Sequence, residues 1–575
     1  MAAHIYNNIP DSSGLNSFQD DPEFLDLLKV YLPAPLLEAV MPHLERMGEL
    51  AGGHLEQLAL TADKNPPELV LRARNGALDE RVVKHPSYIE LEKYAFGEFG
   101  LAAMSHRAGV FGAQDKLPPI VKYALVYLFV QAEFGLCCPL SMTDSLTRTL
   151  VKFGAKDLVD RYFDRLTSQD LDTLYQGAMF MTEQVAGSDV GAIECTARYE
   201  DGAWRLFGDK WFCSNPDAAL SMVLARPEGS MEGTKGLSLF LLPRHLPDGT
   251  RNAYRIIRLK DKMGTRSMAS GEVTLEGAVA YLVGDQGAGF KQMTDMINMS
   301  RLANGVRSAG LMRRSVNEAL FISQNRVAFG RRLIDLPLMR RQLAKMQMAA
   351  EQGRSMVFHT ARVLQAADTG DGEMAKVLRI LTPLVKFRTC RDARKVAGDA
   401  MEVRGGCGYI EEWSDARVLR DAHLGSIWEG TSNIVALDVA RATRREGALD
   451  ALRTYAKGLL EEVSSAGTDT AELGQAFTAA ADYLHAVAHD KAREAEVRQA
   501  ASAVYNATSA VVLSWEDMKI RSNSTNRYNG KRAVLSAHVV RHKLSPVNPL
   551  GGNDDSDAAI DLLLAEATAT LAEAV

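Results

Sequence analysis

The stretch Ser426-Ile427-Trp428-Glu429-Gly430-Thr431-Ser432-Asn433-Ile434 places one carboxylate beside a glycine and small polar residues in an apolar setting. A glutamate enclosed by Ile427, Trp428 and Ile434 would lose solvation. Its pKa would then rise toward the range in which a proton acceptor works best near neutral pH. Because Gly430 has no Cβ, a ligand can approach the backbone closely. We therefore predict that Glu429 is a catalytic base.

The same stretch also fits the start of a helix. In that interpretation Ser426 or Thr431 caps the first turn, and Glu429 is a solvated acid within that turn. A lone E-G-T-S motif favours the helix start, so the rest of the chain has to decide between the two interpretations.

The composition is that of an ordinary globular protein, with 46% hydrophobic and 24% charged residues among 575. A net charge of −6 gives the whole molecule no general attraction to nucleic acid or to anionic membranes. The six cysteines contain no C-x-x-C pair, which argues against a zinc site and a disulfide framework. The first residues resemble no targeting peptide, and the most apolar run, Tyr123 to Val130, is too short to span a membrane. We expect a metal-free cytoplasmic protein.

Helical periodicity dominates both ends of the chain, and a β-rich segment separates them. Asp21-Pro22 predicts a helix start, and apolar residues recur at helical spacing after Pro35. Between about Phe180 and Val283, short apolar runs alternate with turn signals such as Glu200-Asp201-Gly202. We predict an N-terminal helical domain (1–178), a small β-barrel or sandwich (179–284), a helical bundle (285–442) and an additional helical domain (443–575).

Two segments at the edges of the β-rich part could bind a cofactor. Met181 to Asp189 offers hydroxyls and flexible backbone N–H groups, which suit a polar ring or a phosphate. In Lys210 to Asn215, an aromatic face could pack on a planar cofactor while Ser214 bonds its edge. Both segments also fit plain strand-to-loop junctions. Further on, Arg326 could hold a phosphate through two hydrogen bonds, or it could belong to a basic loop between helices.

Taken in chain order, six segments resemble the motifs of the acyl-CoA dehydrogenase flavoproteins. They are T-E-x-x-A-G-S-D, K-W-F-x-S-N, K-M-G-x-R-S, R-x-x-F-G, G-G-x-G-Y and W-E-G-T-S-N-I. The resemblance runs from about Glu56 to Arg441. Within the family the chain most resembles the AidB-type branch, through Asn65 to Leu69, Leu246 to Gly249 and the C-terminal extension.

This resemblance implies a mainly α fold: an N-terminal helical domain, a small β-barrel and a C-terminal four-helix bundle, followed by an extra helical domain. It also implies an acyl-CoA dehydrogenase of fatty acid metabolism, with FAD at the junction of β-domain and bundle. In the family, the glutamate at the position of Glu429 removes the pro-R α-proton of the acyl-CoA thioester, and the β-hydrogen passes as hydride to flavin N5. The backbone N–H of that glutamate and a ribityl hydroxyl polarise the thioester carbonyl.

Matching the motifs position by position implies the remaining site residues. The FAD contacts would be Thr182, Ser188, Ser214, Arg326, Phe329, Gly405, Gly406, Thr431 and Asn433. The acyl-CoA substrate would contact Ser188, Arg301 and Gly430. Arg326 and Phe329 match residues that a neighbouring subunit lends to FAD, which implies a homodimer or a homotetramer. An electron acceptor such as an electron-transfer flavoprotein would reoxidise the flavin. Ser300 is not acidic, so the alternative base position of some branches holds no carboxylate here.

Some positions depart from the family pattern. Phe212 stands where many members have a flavin-stacking tryptophan, although the AidB-type branch shares this change. Ala328, Pro337 and Glu402 replace residues that often contact the diphosphate and adenine parts of FAD.

AidB-type proteins are associated with DNA binding through a basic patch on the C-terminal part. From Arg444 onward, however, 14 Lys and Arg residues stand against 18 Asp and Glu residues, and DNA affinity needs clustered cations. Lys531-Arg532 and Arg541-His542-Lys543 are the concentrated basic stretches, and we interpret them as a solvated helix surface. We therefore predict dehydrogenation, with DNA binding as the alternative. A third hypothesis is an oxygen-using or cofactor-poor relative that serves as an assembly partner, and the intact Glu429 argues against it.

Overall fold

In a computed structural model of the protein, the described residues are 9–523, 530–546, 550 and 557–565. The chain divides into two compact units. Unit 1 combines Met1–His54, Pro119–Ala132 and Asn304–Val575, and unit 2 combines Leu55–Pro118 and Glu133–Ala303. These units group segments that are distant along the chain, so the predicted division into four consecutive domains stays a prediction.

The described α-helices account for most of the chain. In chain order they are α1 Pro22–Tyr31, α2 Ala34–Gly52, α3 His54–Lys64, α4 Pro86–Glu92, α5 Pro119–Phe129, α6 Cys137–Phe153, α7 Lys156–Leu166, α8 Gly289–Asn325, α9 Pro337–Asp368, α10 Gly372–Arg404, α11 Gly406–Tyr409, α12 Ser414–Gly425, α13 Ser432–Glu446, α14 Ala448–Ser465, α15 Ala471–His489, α16 Val497–Asn523, α17 Lys531–Val539 and α18 Asp557–Leu563. In the described part of the chain, no helix is both long and apolar enough to cross a membrane.

The start of α1 follows the predicted signal. The Asp21 carboxylate accepts a hydrogen bond from the Phe24 N–H at 3.3 Å, and Pro22 occupies the first helical position, where its missing N–H costs nothing. In the core of unit 1, α8, α9 and α10 approach closely at glycines. A Cβ on Gly305 would lie 2.3 Å from Val385, and one on Gly353 would lie 2.6 Å from Met312.

The strands lie in unit 2, apart from one short hairpin in unit 1. They are β1 Glu68–Arg72, β2 Leu78–Val83, β3 Gly177–Phe180, β4 Thr196–Glu200, β5 Ala203–Ser214, β6 Leu220–Pro227, β7 Ser238–Pro243, β8 Tyr254–Leu259, β9 Ser270–Val283, and in unit 1 β10 Val327–Ala328 and β11 Arg331–Arg332. The antiparallel hairpin β1–β2 corrects the prediction that the first third of the chain is helical.

The predicted small barrel is confirmed. Pairing runs from β6 through β4, β5, β9 and β7 and returns to β6, which closes a ring within the seven-stranded sheet. Strand β3 adds to β6 in parallel, and β8 pairs with β9. Every residue of β7 is buried, and β6 is buried except at Arg226.

Two details of the barrel follow from single residues. Asp201 (φ 51°) and Gly202 (φ 78°) form the predicted two-residue turn between β4 and β5, and both have the left-handed backbone that such a turn needs. The sequence suggests two separate runs, Val273–Leu275 and Val279–Val283, but both belong to the single strand β9. Gly277 (φ 87°) lies at a bulge between them, where the register to β5 shifts.

The C-terminal extension contains a correction. Lys531 and Arg532 are buried in unit 1 and do not form a solvated surface. Lys531 Nζ lies 2.8 Å from a Glu23 carboxylate oxygen, and Arg532 lies 2.6 Å from Glu516 and 3.1 Å from Glu351. Buried charges are stable only when paired, and these carboxylates supply the pairing. The sequence Arg521 to Asn526 is typical of a loop, but Arg521–Asn523 belongs to α16, and 524–526 lies outside the described residues.

Candidate active site

Glu429 lies in a tight loop, residues 426–431, that joins α12 to α13; we call it the Glu429 loop. The N–H groups of Ile427 and Trp428 both donate to the Leu424 carbonyl, at 2.9 and 3.3 Å, and so continue the end of α12. The backbone then turns left-handed at Glu429 (φ 56°) and Gly430 (φ 98°). This conformation costs a residue other than glycine about 1–2 kcal/mol. Surrounding contacts must therefore hold it, as is common at functional sites.

The first of these contacts is at Gly425, the last residue of α12. A Cβ there would lie 3.0 Å from Ser308 Oγ and 3.4 Å from Cys390 Sγ, which is tighter than most Cβ contacts, so a larger residue would displace these side chains. Ser308 Oγ donates to Cys390 Sγ at 3.2 Å, which joins α8 to α10 directly beneath the loop. The start of the Glu429 loop is therefore fixed against two long helices.

Two buried cations hold the rest of the loop. Lys386 of α10 is 1% exposed, and its ammonium donates a hydrogen bond to the Gly430 carbonyl. Arg307 of α8 is also 1% exposed, and its guanidinium lies 5.0 Å from the centre of the Trp428 ring. Such a cation–π contact gains strength when it is removed from water. Sequence reasoning missed both residues; the available signal was a lone lysine within the apolar run Leu384–Phe387.

The surroundings of Glu429 match the sequence expectation only in part. Its Oε2 atom is buried, and the residue as a whole is half-buried. Trp428 and Ile434 are half-buried too, but Ile427 is 59% exposed. The predicted enclosure by Ile427 is therefore wrong. In the turn after α12, Trp428 takes the inner position over Arg307 and leaves Ile427 on the surface.

The helix-start interpretation does not describe Glu429 either. Helix α13 begins at Ser432 with Thr431 at its N-cap position, so Glu429 precedes the helix, and Ser426 is the C-cap residue that follows α12. Within the described residues, the Thr431 side chain makes no capping hydrogen bond.

Two arginines reach the start of α13. Arg391 Nη1 donates to Ser432 Oγ at 3.4 Å, and Arg498 Nη1 donates to Asn433 Oδ1 at 3.3 Å. Burial, followed by the nearby charge of Arg498, lowers the pKa of Arg391. The first turn of α13 therefore combines helix N–H groups with cationic side chains.

Arg326 and the glycine turn come together in unit 1. Arg326 Nη1 donates to the Arg404 carbonyl at 3.1 Å, and a Cβ on Gly405 would lie 3.9 Å from the same nitrogen. Gly405 ends α10 with φ 76°, and Gly406 begins the single-turn helix α11. Arg404 is itself fixed, because its guanidinium lies 2.6 Å from Glu318 and 2.7 Å from Asp415.

Phe329 has a very different environment. It is 93% exposed, with φ 54°, at the tip of the β10–β11 hairpin. Val327 of the same hairpin is 66% exposed, so the hairpin presents two apolar side chains to solvent.

In unit 2, the two predicted cofactor segments are in contact. The Trp211 N–H donates to the Thr182 carbonyl at 2.8 Å. Lys210, fully buried, lies 2.6 Å from Glu183 Oε1 and donates to the Leu224 carbonyl at 2.8 Å. Burial raises the pKa of Glu183, but the Lys210 ammonium and backbone N–H donors bring it below its ordinary value. This ion pair joins the loop after β3 to strand β5.

The other predicted residues of unit 2 differ in exposure. Ser214, the last residue of β5, is half-buried, and Ser188 is exposed. Phe212 is 54% exposed and stands two positions before Ser214, in the part of β5 where the register to β9 shifts. Arg301 in α8 is buried, and its Nη1 lies 3.5 Å from Asn298 Oδ1.

Comparison with known proteins gives three family-model matches. Acyl-CoA dehydrogenase, C-terminal domain, matches residues 287–443; Acyl-CoA dehydrogenase, middle domain, matches 178–278; Adaptive response protein AidB N-terminal domain matches 7–173. The putative acyl-CoA dehydrogenase AidB of Escherichia coli is 35% identical over 402 residues, which are 68% of this chain and 71% of that protein.

Two solved structures are similar over most of the chain. Caenorhabditis elegans ACDH-11, in complex with C11-CoA, has a TM-score of 0.85 at 28% identity and covers 94% of this chain and 93% of its own. An acyl-CoA dehydrogenase from Bacillus anthracis, complexed with FAD, has a TM-score of 0.65 at 18% identity, with coverages of 91% and 86%, and shares the fold.

Proposed function

This chain belongs to the acyl-CoA dehydrogenase family, in its AidB-type branch, and we propose that Glu429 is the base that removes the α-proton of its acyl-CoA substrate. The protein is an FAD-dependent oxidoreductase acting on an acyl-CoA thioester. The observation that carries the assignment is the Glu429 loop. Glu429 has a left-handed backbone that the surrounding packing holds, and one oxygen of its carboxylate is buried.

Removal of the α-proton requires two groups from this loop: a hydrogen-bond donor to the thioester carbonyl and a proton acceptor. An α-proton beside a thioester is a weak acid, so the carbonyl oxygen must be polarised as negative charge develops on it. The Glu429 N–H is the proposed protein donor, and its carboxylate is the proton acceptor. Gly430, without a Cβ, leaves room for the thioester. When bound, FAD supplies the hydride acceptor for the β-hydrogen.

The residues present fit an FAD molecule. In unit 2, Thr182 and Ser214 offer hydroxyls, and the exposed ring of Phe212 offers an apolar face. In unit 1, the Arg326 guanidinium suits the diphosphate, and Gly405 leaves space beside it. Helix N-termini also favour phosphates, so Thr431 and Asn433 at the start of α13 suit the same group. The remaining proposed contacts are Ser188 and Gly406 for FAD, and Ser188, Arg301 and Gly430 for the substrate.

The exposed Phe329 supports an oligomer. Arg326 and Phe329 would act on the cofactor of a neighbouring copy, in a homodimer or a homotetramer.

An electron acceptor such as an electron-transfer flavoprotein would take up the electrons. All six cysteines lie in the described part of the chain and none of them forms a disulfide bond there, which fits the reducing cytoplasm.

DNA binding has less support. Two of the cations that could have formed a basic patch, Lys531 and Arg532, pair with carboxylates inside unit 1. Buried and neutralised cations cannot contact phosphates, which leaves Arg541-His542-Lys543 as the concentrated basic stretch of the extension.

Anaerobic titration with saturated acyl-CoAs of increasing chain length tests the proposal. In the parent protein, a suitable thioester should bleach the flavin absorbance. Glu429→Gln should keep FAD but bleach about 100-fold to 10,000-fold more slowly, the usual contribution of a general base. Glu412→Gln, at an exposed position of the same region, is the matched control and should behave as the parent. Reduction of Glu429→Gln at the parent rate would assign proton removal to another residue.

A further inference from the structure

The contacts of the Glu429 loop carry an inference that rests on the proposed function and extends it to two residues outside the family motifs. We propose that Lys386 and Arg307 are positioning residues: they hold the left-handed backbone at Glu429 and Gly430, and so place the Glu429 N–H and carboxylate for reaction.

Lys386 is buried in unit 1 beside the Glu429 loop. A lysine that is 1% exposed loses the hydration of its ammonium, and a fold keeps such a residue only where the ammonium has a partner. One acceptor for the Lys386 ammonium is the carbonyl of Gly430, the residue directly after the base. A charged donor makes a stronger hydrogen bond than a neutral one. The peptide group between Gly430 and Thr431 is therefore fixed in orientation, which anchors the Glu429 loop directly after the base.

Arg307 acts on the other side of Glu429. Its guanidinium lies 5.0 Å from the centre of the Trp428 ring, the residue directly before the base. The two cations thus contact the two chain neighbours of Glu429 from different helices, α8 and α10. Both lie near Cys390: burial raises the pKa of that thiol, while the charges of Lys386 and Arg307 oppose the rise.

The consequence is a loop fixed at three successive points. Gly425 packs on Ser308 and Cys390, Trp428 lies against Arg307, and Gly430 accepts from Lys386. Without the last two contacts, the backbone of Glu429 can relax from φ 56° to the right-handed or extended regions that a glutamate prefers. The N–H and the carboxylate would then turn away together.

The experiment compares Lys386→Met and Lys386→Arg with the parent holoenzyme. Misplacement of a reacting group by about 1 Å lowers the rate about 100-fold. Lys386→Met should therefore lower kcat about 100-fold, with KM and FAD content close to those of the parent. Lys386→Arg keeps a cationic donor and should recover most of this loss. Lys376→Met, at an exposed lysine of the same helix, is the matched control and should leave kcat unchanged.

Two readouts do not depend on turnover. A 3-thia-acyl-CoA has sulfur in place of the β-carbon and has no β-hydride to give, so it reports α-proton removal alone through a long-wavelength absorption band. Lys386→Met should weaken this band, while the analogue still binds. Amide hydrogen exchange of peptides covering residues 426–431 should become faster in Lys386→Met, because the loop loses a fixed point.

Each outcome decides the proposal. A kcat of Lys386→Met within threefold of the parent, unchanged exchange in the loop, or no recovery in Lys386→Arg would overturn it. If Lys386→Met fails to fold, Arg307→Met takes its place and must show the same loss of kcat at constant KM; normal kcat there would overturn the proposal. If Glu429→Gln reacts at the parent rate, the proposed function itself fails. If Glu429→Gln is inactive while Lys386→Met has normal activity, Glu429 stays the proposed base and only the positioning role of Lys386 is overturned.

Discussion

Acidification should destabilise unit 1 through one buried histidine, His359 of α9. Its Nδ1 lies 3.0 Å from the Tyr31 hydroxyl, and its Nε2 lies 2.8 Å from the Tyr455 hydroxyl. The Tyr31 hydroxyl donates to Glu516 at 2.6 Å, so its oxygen is left to accept from Nδ1–H, while Tyr455 donates to Nε2. A neutral imidazole satisfies both partners, whereas a protonated ring would meet the Tyr455 hydroxyl with a second N–H.

The structure also gives the magnitude. Burial and the charge of Arg362 lower the pKa of His359 from 6.5 to about 3. Because the folded pKa is depressed, the stabilising contribution is fully present above pH 6.5 and is lost as the pH falls from 6.5 toward 3. In this pH range the unfolded chain binds one more proton than the folded protein, so the free energy of unfolding falls by about 1.4 kcal/mol for each pH unit of acidification. Between pH 8 and pH 5, the free energy of unfolding should fall by about 2 kcal/mol through this residue.

Urea titrations of the parent and of His359→Gln at pH 8, 7, 6 and 5 measure this effect. The Trp515 ring lies 5.5 Å from the His359 ring, so tryptophan fluorescence reports on the region. Carboxylates titrate in both proteins, and the difference between them isolates His359. The parent should lose about 2 kcal/mol more than the variant over this range. His489→Gln, at an exposed histidine, should keep the parent's pH dependence. Equal pH dependence in the parent and His359→Gln would refute the reasoning.

Two further predictions concern the barrel and the assembly. Lys210→Met leaves the buried Glu183 without its ammonium and should destabilise the barrel by about 3–5 kcal/mol in thermal or urea unfolding. Adding Glu183→Gln should recover part of that loss, and the exposed control Lys235→Met should cost little; a Lys210→Met variant as stable as that control would show that the pair is not needed. Phe329→Ser should lower the solution mass measured by light scattering without lowering the unfolding temperature of the dissociated chain. An unchanged mass would place Phe329 outside any interface between copies.

Local patterns in the sequence are sufficient for much of the fold. The Asp21-Pro22 cap and the turn at Asp201-Gly202 depend on residues close by in sequence, and the structure confirms both. The β1–β2 hairpin was missed because its short strands, Glu68–Arg72 and Leu78–Val83, are half-buried or exposed, so no apolar alternation marks them.

Contacts between distant parts of the chain could not be predicted in the same way. Lys531-Arg532 looks like a solvated charge pair in sequence, because its partners Glu23 and Glu351 are far away along the chain. Lys386 likewise becomes informative only when its ammonium is seen beside Gly430. The family motifs identified Glu429, but the contacts that hold it depend on helix packing that no motif encodes.

The ion pair between Glu23 and Lys531 has a consequence for biosynthesis. Helix α1 leaves the ribosome early, whereas Lys531 follows roughly 500 residues later, after about 25–100 s at ordinary elongation rates of about 5–20 residues per second. During this interval Glu23 lacks its nearer counter-ion, Lys531 at 2.8 Å, whereas Arg354, at 3.4 Å, is translated earlier. A translation product that stops before Lys531 would therefore hold Glu23 through the longer ion pair to Arg354 alone among these two cations.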